Sequence, residues 1–247
     1  MILLKTAAQI DGIRKSCKIV AIVLNELKHL IAPGISTAEL NKAAEDICYQ
    51  HNAIPAFKGY RGFPYSICAS KNKEIVHGFP NKIPLKSGDI ISIDFGVIYK
   101  GWYGDAAFTK CVGVAGNKKI KLINITKQCL DKAINKAWPG NRIGDIGFVI
   151  QSHAENNGFN VIKDFVGHGI GRDLHEDPQI KNYGARGEGK ILKVGMTIAI
   201  EPMIVQGTSE TLTMNNKWTV VSKDGGLSAH FEHSIVITKE GPEILTI

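Results

Sequence analysis

The sequence predicts an α+β fold made of two similar halves, and three observations support this prediction. Residues 85–94 (LKSGDIISID) resemble residues 192–201 (LKVGMTIAIE), which indicates an internal repeat. Apolar residues recur every three or four positions in two stretches, which is typical of one face of a helix. β-Branched residues are concentrated in residues 90–98 and 197–205, which indicates strands. Each half should therefore run from helices to strands, with the sheet facing inward and the helices outside.

The first half begins with two predicted helices. Pro33-Gly34 ends the first of them, since proline and glycine are typical of the turn after a helix. Ser36-Thr-Ala-Glu39 forms a capping box, in which the Ser36 hydroxyl and the Glu39 carboxylate accept hydrogen bonds from free backbone N–H groups, so a second helix begins here. The apolar face of the first helix consists of Ile13, Cys17, Val20, Leu24, Leu27 and Ile31.

The second half repeats this order. Pro139-Gly140 precedes its repeated strand as Pro33-Gly34 precedes the first one, and an acidic and an aliphatic residue follow each pair. We place the halves at about residues 1–115 and 116–247, and we expect a single catalytic domain over residues 1–247 because no linker separates them. The corresponding helix face consists of Ile123, Thr126, Leu130, Ala133 and Ala137.

The composition is that of a globular protein, since 44% of the 247 residues are hydrophobic and 21% are charged. These proportions exclude disorder and collagen-like repeats. No apolar run approaches the ~20 residues that a membrane helix needs, and the early charges at Asp11, Arg14 and Lys15 argue against a secretory signal. The five cysteines are widely spaced and contain no Cys-x-x-Cys pair, so we expect reduced thiols and a cytoplasmic location.

The positive charge of the chain is localised. Lys and Arg exceed Asp and Glu by a formal +7. The segment from Lys110 to Arg142 contains eight basic residues and a single acid, Asp131, so its net charge is 8 − 1 = +7. The remainder of the chain is therefore formally neutral. Two interpretations stay open here: a solvated helix face with lysines between apolar residues, or a surface that docks onto a polyanion.

Four acidic residues stand in or near predicted strands. Asp94 and Glu201 occupy the same position in the aligned repeats, and both interrupt otherwise apolar runs. Because burying an unpaired carboxylate is costly, this match favours a shared cation site over two strand ends at the surface. Asp105 follows a predicted turn at Lys100-Gly101, so a returning strand would bring it beside Asp94. Glu232 lies in another strand-like run near the end of the chain.

Three histidines add imidazoles to these acids. His168 lies between two glycines, His175 follows seven residues later, and His77 precedes a further glycine. The glycine spacing around His168 would also fit a dinucleotide-binding loop, but no helical pattern follows it. Oxygen ligands with an imidazole suit Mn, Fe(II), Co or Zn, and four carboxylates fit two bridged ions better than one catalytic zinc.

On these residues the chain resembles the type I methionine aminopeptidases, enzymes of the pita-bread fold, over essentially its whole length. The family signature is aromatic-x-Gly-His-Gly-aliphatic, then His, then aliphatic-x-Asn-Tyr; Phe165 to Ile170, His175 and Ile180 to Tyr183 match it. The resemblance implies two pseudo-symmetric halves with an inner antiparallel sheet and outer helices. It also implies five metal ligands, which are Asp94, Asp105, His168, Glu201 and Glu232.

The resemblance implies a metal-dependent aminopeptidase that removes the initiator methionine from nascent polypeptides. Two divalent ions (Co, Mn, Fe(II) or Zn) would share a bridging water and hold it as a hydroxide that attacks the first peptide bond. Asp105 and Glu232 would bridge the ions, Asp94 would chelate one of them, and His168 with Glu201 would complete the other.

Catalytic and substrate-binding roles follow from the same resemblance. Glu201 would double as a proton shuttle, His175 would hydrogen-bond near the scissile amide, and His77 would contact the substrate backbone or the departing chain. The substrate would lie among His77, His175, Tyr60, Phe63, Cys68 and Trp218, with Leu174 and Met203 nearby.

Three residues depart from those that relatives usually carry. Phe57 stands in place of a common Cys, Phe63 in place of a Tyr, and His230 in place of a polar amide. We expect these changes to alter the substrate range without affecting metal binding.

Alternatives within and outside the fold remain at this point. Proline-specific and creatinase-like enzymes usually carry an additional N-terminal domain, and we expect this chain to have no room for one. Type II methionine aminopeptidases carry an insertion in the second half, and the interval from His175 to Glu201 is too short to hold it. A binding protein without catalysis is disfavoured by the complete ligand set. We expect a monomer, and the docking interpretation would place the segment from Lys110 to Arg142 on ribosomal RNA near the nascent-chain exit.

Overall fold

The computed structural model describes residues 2–247, and within this range four α-helices and fifteen strands confirm the predicted α+β class. The helices are α1 (Ala7–Leu30), α2 (Thr37–Gln50), α3 (Asn117–Ile134) and α4 (Ile143–Asn156), with a 3-10 turn at Tyr60–Gly62. The strands are β1 (Ile54–Pro55), β2 (Cys68–Lys71), β3 (Glu74–Val76), β4 (Ile90–Tyr99), β5 (Trp102–Cys111), β6 (Asn160–Val161), β7 (Gly167–Gly169), β8 (Glu176–Ile180), β9 (Thr197–Ile200), β10 (Met203–Val205), β11 (Thr211–Thr213), β12 (Val220–Ser222), β13 (Ser228–His230), β14 (Glu232–Thr238) and β15 (Gly241–Ile244).

Local hydrogen bonds set the start of the second helix. The Ser36 hydroxyl accepts from the Glu39 N–H at 3.3 Å, and the Glu39 carboxylate accepts from the Ser36 N–H at 2.8 Å, so the predicted capping box is present. The turn between α1 and α2 contains Gly34 at φ 101°, a left-handed conformation that favours glycine. The signals that predicted this helix pair are therefore local ones.

The strand pairs of the described residues are antiparallel, and nine strands join in one sheet. Its main path is β1-β4-β5-β14-β9-β7-β8, while β2 pairs with β4 and β15 pairs with β14. The three-stranded sheets β13-β10-β6 and β11-β12-β3 complete the structure. The β4–β5 hairpin turns at Lys100 and Gly101, both at positive φ, as predicted.

The predicted strand over residues 197–205 is two strands, so the prediction of a continuous strand was wrong. β9 stays in the nine-stranded sheet, whereas β10 joins β13 and β6 after a break at Glu201-Pro202. Proline lacks the N–H that a ladder needs and favours such a break. The strand-like run that contains Glu232 is also two strands, β13 and β14, which are separated by Phe231. The N–H of Phe231 donates to the Pro202 carbonyl at 3.3 Å.

Two hydrophobic cores attach the helices to the outside of the sheet. Leu27, Leu40 and Phe95 belong to the core that joins α1 and α2 to β4 and β5. Leu130 and Ile198 belong to the core that joins α3 and α4 to β9 and β14. This is the expected inner sheet with outer helices. No helix in residues 2–247 combines the length and apolar character that crossing a bilayer requires.

Candidate metal centre

Side chains with metal-binding chemistry come from five strands that are neighbours in the nine-stranded sheet. The path β4-β5-β14-β9-β7 supplies one side chain per strand, one of them directly after the end of β9. In this order they are Asp94, Asp105, Glu232, Glu201 and His168. The sheet order thus brings together residues that are far apart in the chain.

The register of the strands puts three of the carboxylates on one face. Ala107 of β5 pairs directly with Asp94 of β4 and with Glu232 of β14. Asp105 lies two residues before Ala107, and side chains alternate along a strand, so all three acids point to the same side. The small side chain of Ala107 leaves the space between them open.

Burial of these acids together disfavours their charged forms. Loss of hydration raises the pKa of Asp94 from 3.8 to about 7. Burial, with repulsion between the carboxylates as a further cause, raises the pKa values of Asp105, Glu201 and Glu232 well above their ordinary range. Among the described residues, oxygen atoms of Asp94, Asp105 and Glu232 are buried without a hydrogen-bond partner. A cation would satisfy them.

Two groups of donor atoms are close enough for each to surround a cation. The ligand atoms of Asp105, His168 and Glu232 lie within 4.8 Å of one another, and so do those of Glu201, His230 and Glu232. Carboxylate oxygens combined with imidazole nitrogens suit Mn, Fe(II), Co and Zn. The residues present therefore fit a divalent metal centre.

His168 presents a neutral imidazole in a defined tautomer. Its Nδ1 lies 2.9 Å from the Gly169 carbonyl, which can only accept, so Nδ1 carries the proton and Nε2 keeps its lone pair. Burial, followed by the neighbouring His175, lowers the pKa of His168 to about 3. Nε2 lies 3.5 Å from Oε1 of Glu201, so the lone pair is available to a cation in the site.

Two further histidines flank the carboxylates. The His175 ring meets the His168 ring edge-on, with 4.3 Å between centroids, and His175 Nδ1 lies 2.8 Å from the Tyr60 hydroxyl. His77 has a left-handed φ of 57°, and its ring packs edge-on against Phe165. Burial lowers the pKa of His175 to about 4 and lowers the pKa of His77 as well, so both act as neutral hydrogen-bonding groups.

A cavity of about 490 Å³ opens onto the carboxylates. The substrate-binding residues that the resemblance implied line it: Tyr60, Phe63, Cys68, His77, Leu174, His175 and Trp218. Phe57 also lines it, and its ring occupies the space that a Cβ on Gly96 would need. The cavity therefore combines an apolar wall with the acidic centre.

The sequence missed some lining residues and misplaced another. Met203 packs with Ile75 and Val220 in a separate cluster and does not line the cavity. Phe165 and Val76 do line it. Phe165 is the aromatic position of the signature and was identifiable from it, whereas nothing in the sequence singled out Val76.

The family model and the curated relatives that match this sequence point to the same family of enzymes. The chain matches the protein-family model of metallopeptidase family M24 over residues 11–239. It is 49% identical over 247 residues to a methionine aminopeptidase of Clostridium perfringens and 48% identical over 246 residues to methionine aminopeptidase 1 of Bacillus subtilis. Each match covers 100% of this chain and 99% of the relative.

Comparison with solved structures gives the same fold. A methionine aminopeptidase crystal structure from Thermotoga maritima matches with a TM-score of 0.98 and 46% identity, over 100% of this chain and 99% of that one. A prolidase from Pyrococcus horikoshii OT3 matches with a TM-score of 0.81 and 23% identity, over 100% of this chain and 64% of the prolidase. The second likeness shows the fold alone. The predicted pita-bread fold is confirmed.

We expect metal-free protein to lose stability as the pH rises from 7.5 to 8.5. The folded-state pKa values of Asp94, Asp105, Glu201 and Glu232 are raised, so the stability contributed by their neutral forms is present at low pH and is lost as the pH rises through those values. The buried histidines, whose folded-state pKa values are lowered, are largely neutral in both states over this window. Each proton retained by the folded state changes the free energy of unfolding by about 1.4 kcal/mol per pH unit.

Urea unfolding in the presence of a chelator measures this slope. The variant Asp94→Asn should show a shallower slope near pH 7.5, because it removes one titrating group. Saturating Mn²⁺ should stabilise the protein increasingly toward pH 8, since metal displaces the retained protons. A metal-free stability that is flat or rises over this window would contradict the assignment of buried, protonated carboxyl groups.

Proposed function

Because this chain belongs to metallopeptidase family M24, we propose that it is a methionine aminopeptidase, which removes the N-terminal methionine from nascent polypeptides. The observation that carries this proposal is the set of five adjacent strands that each deliver one carboxylate or imidazole to the edge of an apolar cavity. Near full-length similarity to methionine aminopeptidases supports the same activity.

We further propose that the centre holds two divalent ions, chosen from Co, Mn, Fe(II) and Zn. Asp105 and Glu232 would be shared by both ions, Asp94 would complete one, and His168 with Glu201 the other. Four carboxylates then balance the charge of two divalent cations, which offsets the cost of burying the acids. When bound, such ions lower the pKa of a water molecule and polarise the scissile carbonyl.

Glu201 is proposed to move the proton. Burial raises the pKa of its carboxyl group, and cations nearby would lower that pKa again toward neutrality. A base with a pKa near the operating pH transfers protons most effectively. One Glu201 carboxylate oxygen would accept the proton of the attacking water and then return it to the leaving amide nitrogen.

The two cavity histidines are proposed to hold the substrate. If the Tyr60 hydroxyl donates to Nδ1 of His175, the proton of that neutral ring lies on Nε2, which can donate to the substrate carbonyl oxygen as negative charge develops there. His77 stands beside Phe165 and Trp218 and would hydrogen-bond the substrate backbone. Neutral donors suit both tasks, because they add no charge to the acidic centre.

The apolar wall suits a methionine side chain. Phe63 and Trp218 meet edge-on with 5.2 Å between their ring centroids, and Cys68 and Leu174 belong to the same cluster. A thioether makes favourable contacts with aromatic rings and adapts to irregular surfaces. Phe63 brings no hydroxyl to this wall, so the wall stays apolar.

Release of methionine from the tripeptide Met-Ala-Ser, with added Mn²⁺ or Co²⁺, tests the proposed activity. Asp105→Asn and Glu232→Gln should each lower kcat/KM by about 1000-fold, a barrier increase of about 4 kcal/mol, because each removes a shared metal ligand. His233→Gln is the matched control: His233 also lies on β14, but its ring bonds to Thr246 at 2.8 Å. Absence of turnover by the wild-type protein with Co, Mn, Fe(II) and Zn, each added separately, would refute the proposal.

Tyr60→Phe should lower kcat about 3- to 10-fold. It removes one hydrogen bond of about 0.5–1.5 kcal/mol and frees His175 to adopt the other tautomer. Tyr65→Phe removes a hydroxyl from another tyrosine that packs against the same cluster, and it serves as the control. Equal kcat values for the two variants would show that Tyr60 does not orient His175.

The basic segment from Lys110 to Arg142 is engaged in part within the molecule. Lys110 donates to the Ile31 carbonyl at 3.3 Å, and Lys121 donates to the Asn157 carbonyl at 2.9 Å, so both stabilise helix ends. Lys118, Lys132 and Lys136 are exposed. We propose that these three lysines dock the protein onto ribosomal RNA near the nascent-chain exit.

Co-sedimentation with ribosomes at low salt tests this docking. Changing Lys118, Lys132 and Lys136 to Glu should abolish binding, and wild-type binding should weaken steeply with salt because counterions are released from the RNA. The control variant changes the exposed lysines Lys82, Lys193 and Lys239 to Glu, which alters net charge equally. If both triple variants bind as the wild type does, the docking proposal is wrong.

A further inference from the structure

His230 brings a second imidazole to the carboxylates. It is the last residue of β13, is 1% exposed, and its Nε2 is buried with no hydrogen-bond partner among the described residues. Leaving a buried polar atom unsatisfied costs about 1–3 kcal/mol. The position of this nitrogen therefore requires an explanation that packing alone does not provide.

The two imidazoles approach opposite oxygens of one carboxylate. His168 Nε2 lies 3.5 Å from Oε1 of Glu201, and His230 Nε2 lies 3.7 Å from Oε2 of Glu201. His230 Nε2 is also 4.0 Å from Oε2 of Glu232. These separations are too long for hydrogen bonds. They fit donor atoms that share one ion, since metal–ligand bonds of about 2.0–2.2 Å place neighbouring ligands about 3–4 Å apart.

The backbone of His230 is held in place from both sides. The Thr109 hydroxyl donates to the His230 carbonyl and accepts from the His230 N–H, both at 2.8 Å, and Ser92 lies 2.8 Å from the same hydroxyl. His230 also pairs with Met203 in the β10–β13 ladder. The imidazole thus extends from a fixed point, as a preorganised ligand does.

Charge balance is compatible with one more neutral donor. Four carboxylates match two divalent cations, so a fifth carboxylate would leave excess negative charge, whereas an imidazole adds a ligand and no charge. His168 belongs to the donor group with Asp105, and His230 belongs to the group with Glu201, while Glu232 is common to both groups. Each group therefore contains one imidazole.

We propose that His230 is an additional metal ligand, which binds through Nε2 the ion held by Glu201 and Glu232. This inference rests on the proposed metal centre and replaces our sequence-based expectation that His230 leaves metal binding unaffected. Together with His168, it would give the ion held by Glu201 two imidazole ligands.

Calorimetric titration of the metal-free protein with Mn²⁺ measures the effect on affinity. Even outer hydrogen-bond partners of ligands contribute about 10- to 100-fold to metal affinity, so His230→Gln and His230→Ala should raise one Kd at least about tenfold. His233→Gln should leave both Kd values within about twofold. Unchanged Kd values in both His230 variants would overturn the inference.

A second measurement needs no variant. In protein loaded with Co²⁺, each coordinated imidazole contributes one solvent-exchangeable N–H resonance shifted far outside the normal proton range. Wild-type protein should show two such resonances and His230→Gln only one. A single resonance in wild-type protein that binds Co²⁺ would refute the role of His230 and leave the proposed function intact, whereas wild-type protein that binds no metal would refute the proposed function itself.

Discussion

Loss of hydration at four neighbouring carboxylates, with repulsion between them as a further cause, is the constraint on which the site depends. Each acid is hydrated in the unfolded chain and loses that hydration on folding, which raises the pKa values of all four. The sheet holds three of them around the small side chain of Ala107, and several of their oxygens have no protein partner. Such an arrangement is stable only with bound protons or cations, so cation binding and folding are linked.

Two strand breaks at one place assemble the site. Glu201-Pro202 separates β9 from β10, Phe231 separates β13 from β14, and the two breaks are joined by a hydrogen bond from Phe231 to Pro202. Because the polypeptide changes sheets at both breaks, Glu201 and Glu232 lie where the nine-stranded sheet meets the three-stranded sheet β13-β10-β6. His230 approaches from the smaller sheet, and the remaining acids come from the larger one. The site thus belongs to the junction between the sheets.

Charge is divided between this centre and the outer surface. Burial keeps the imidazoles around the carboxylates neutral, so the centre contains acids without protein cations to pair with them. The lysines from residue 110 onward lie outside, where Lys110 and Lys121 donate to backbone carbonyls. A bound cation would therefore compensate these acids, which the formal +7 counts as free negative charges.

The sequence by itself determined the fold class, the start of α2 and the acids of the site, because capping boxes, apolar periodicity and acids within apolar runs are local patterns. A signature around His168 added the histidines and most of the cavity wall. Only the tertiary structure decided the break at Pro202, the exclusion of Met203 from the cavity and the approach of His230 to Glu201. These features depend on which strands become neighbours and where they change sheets, and the pattern of a single segment does not encode its partner.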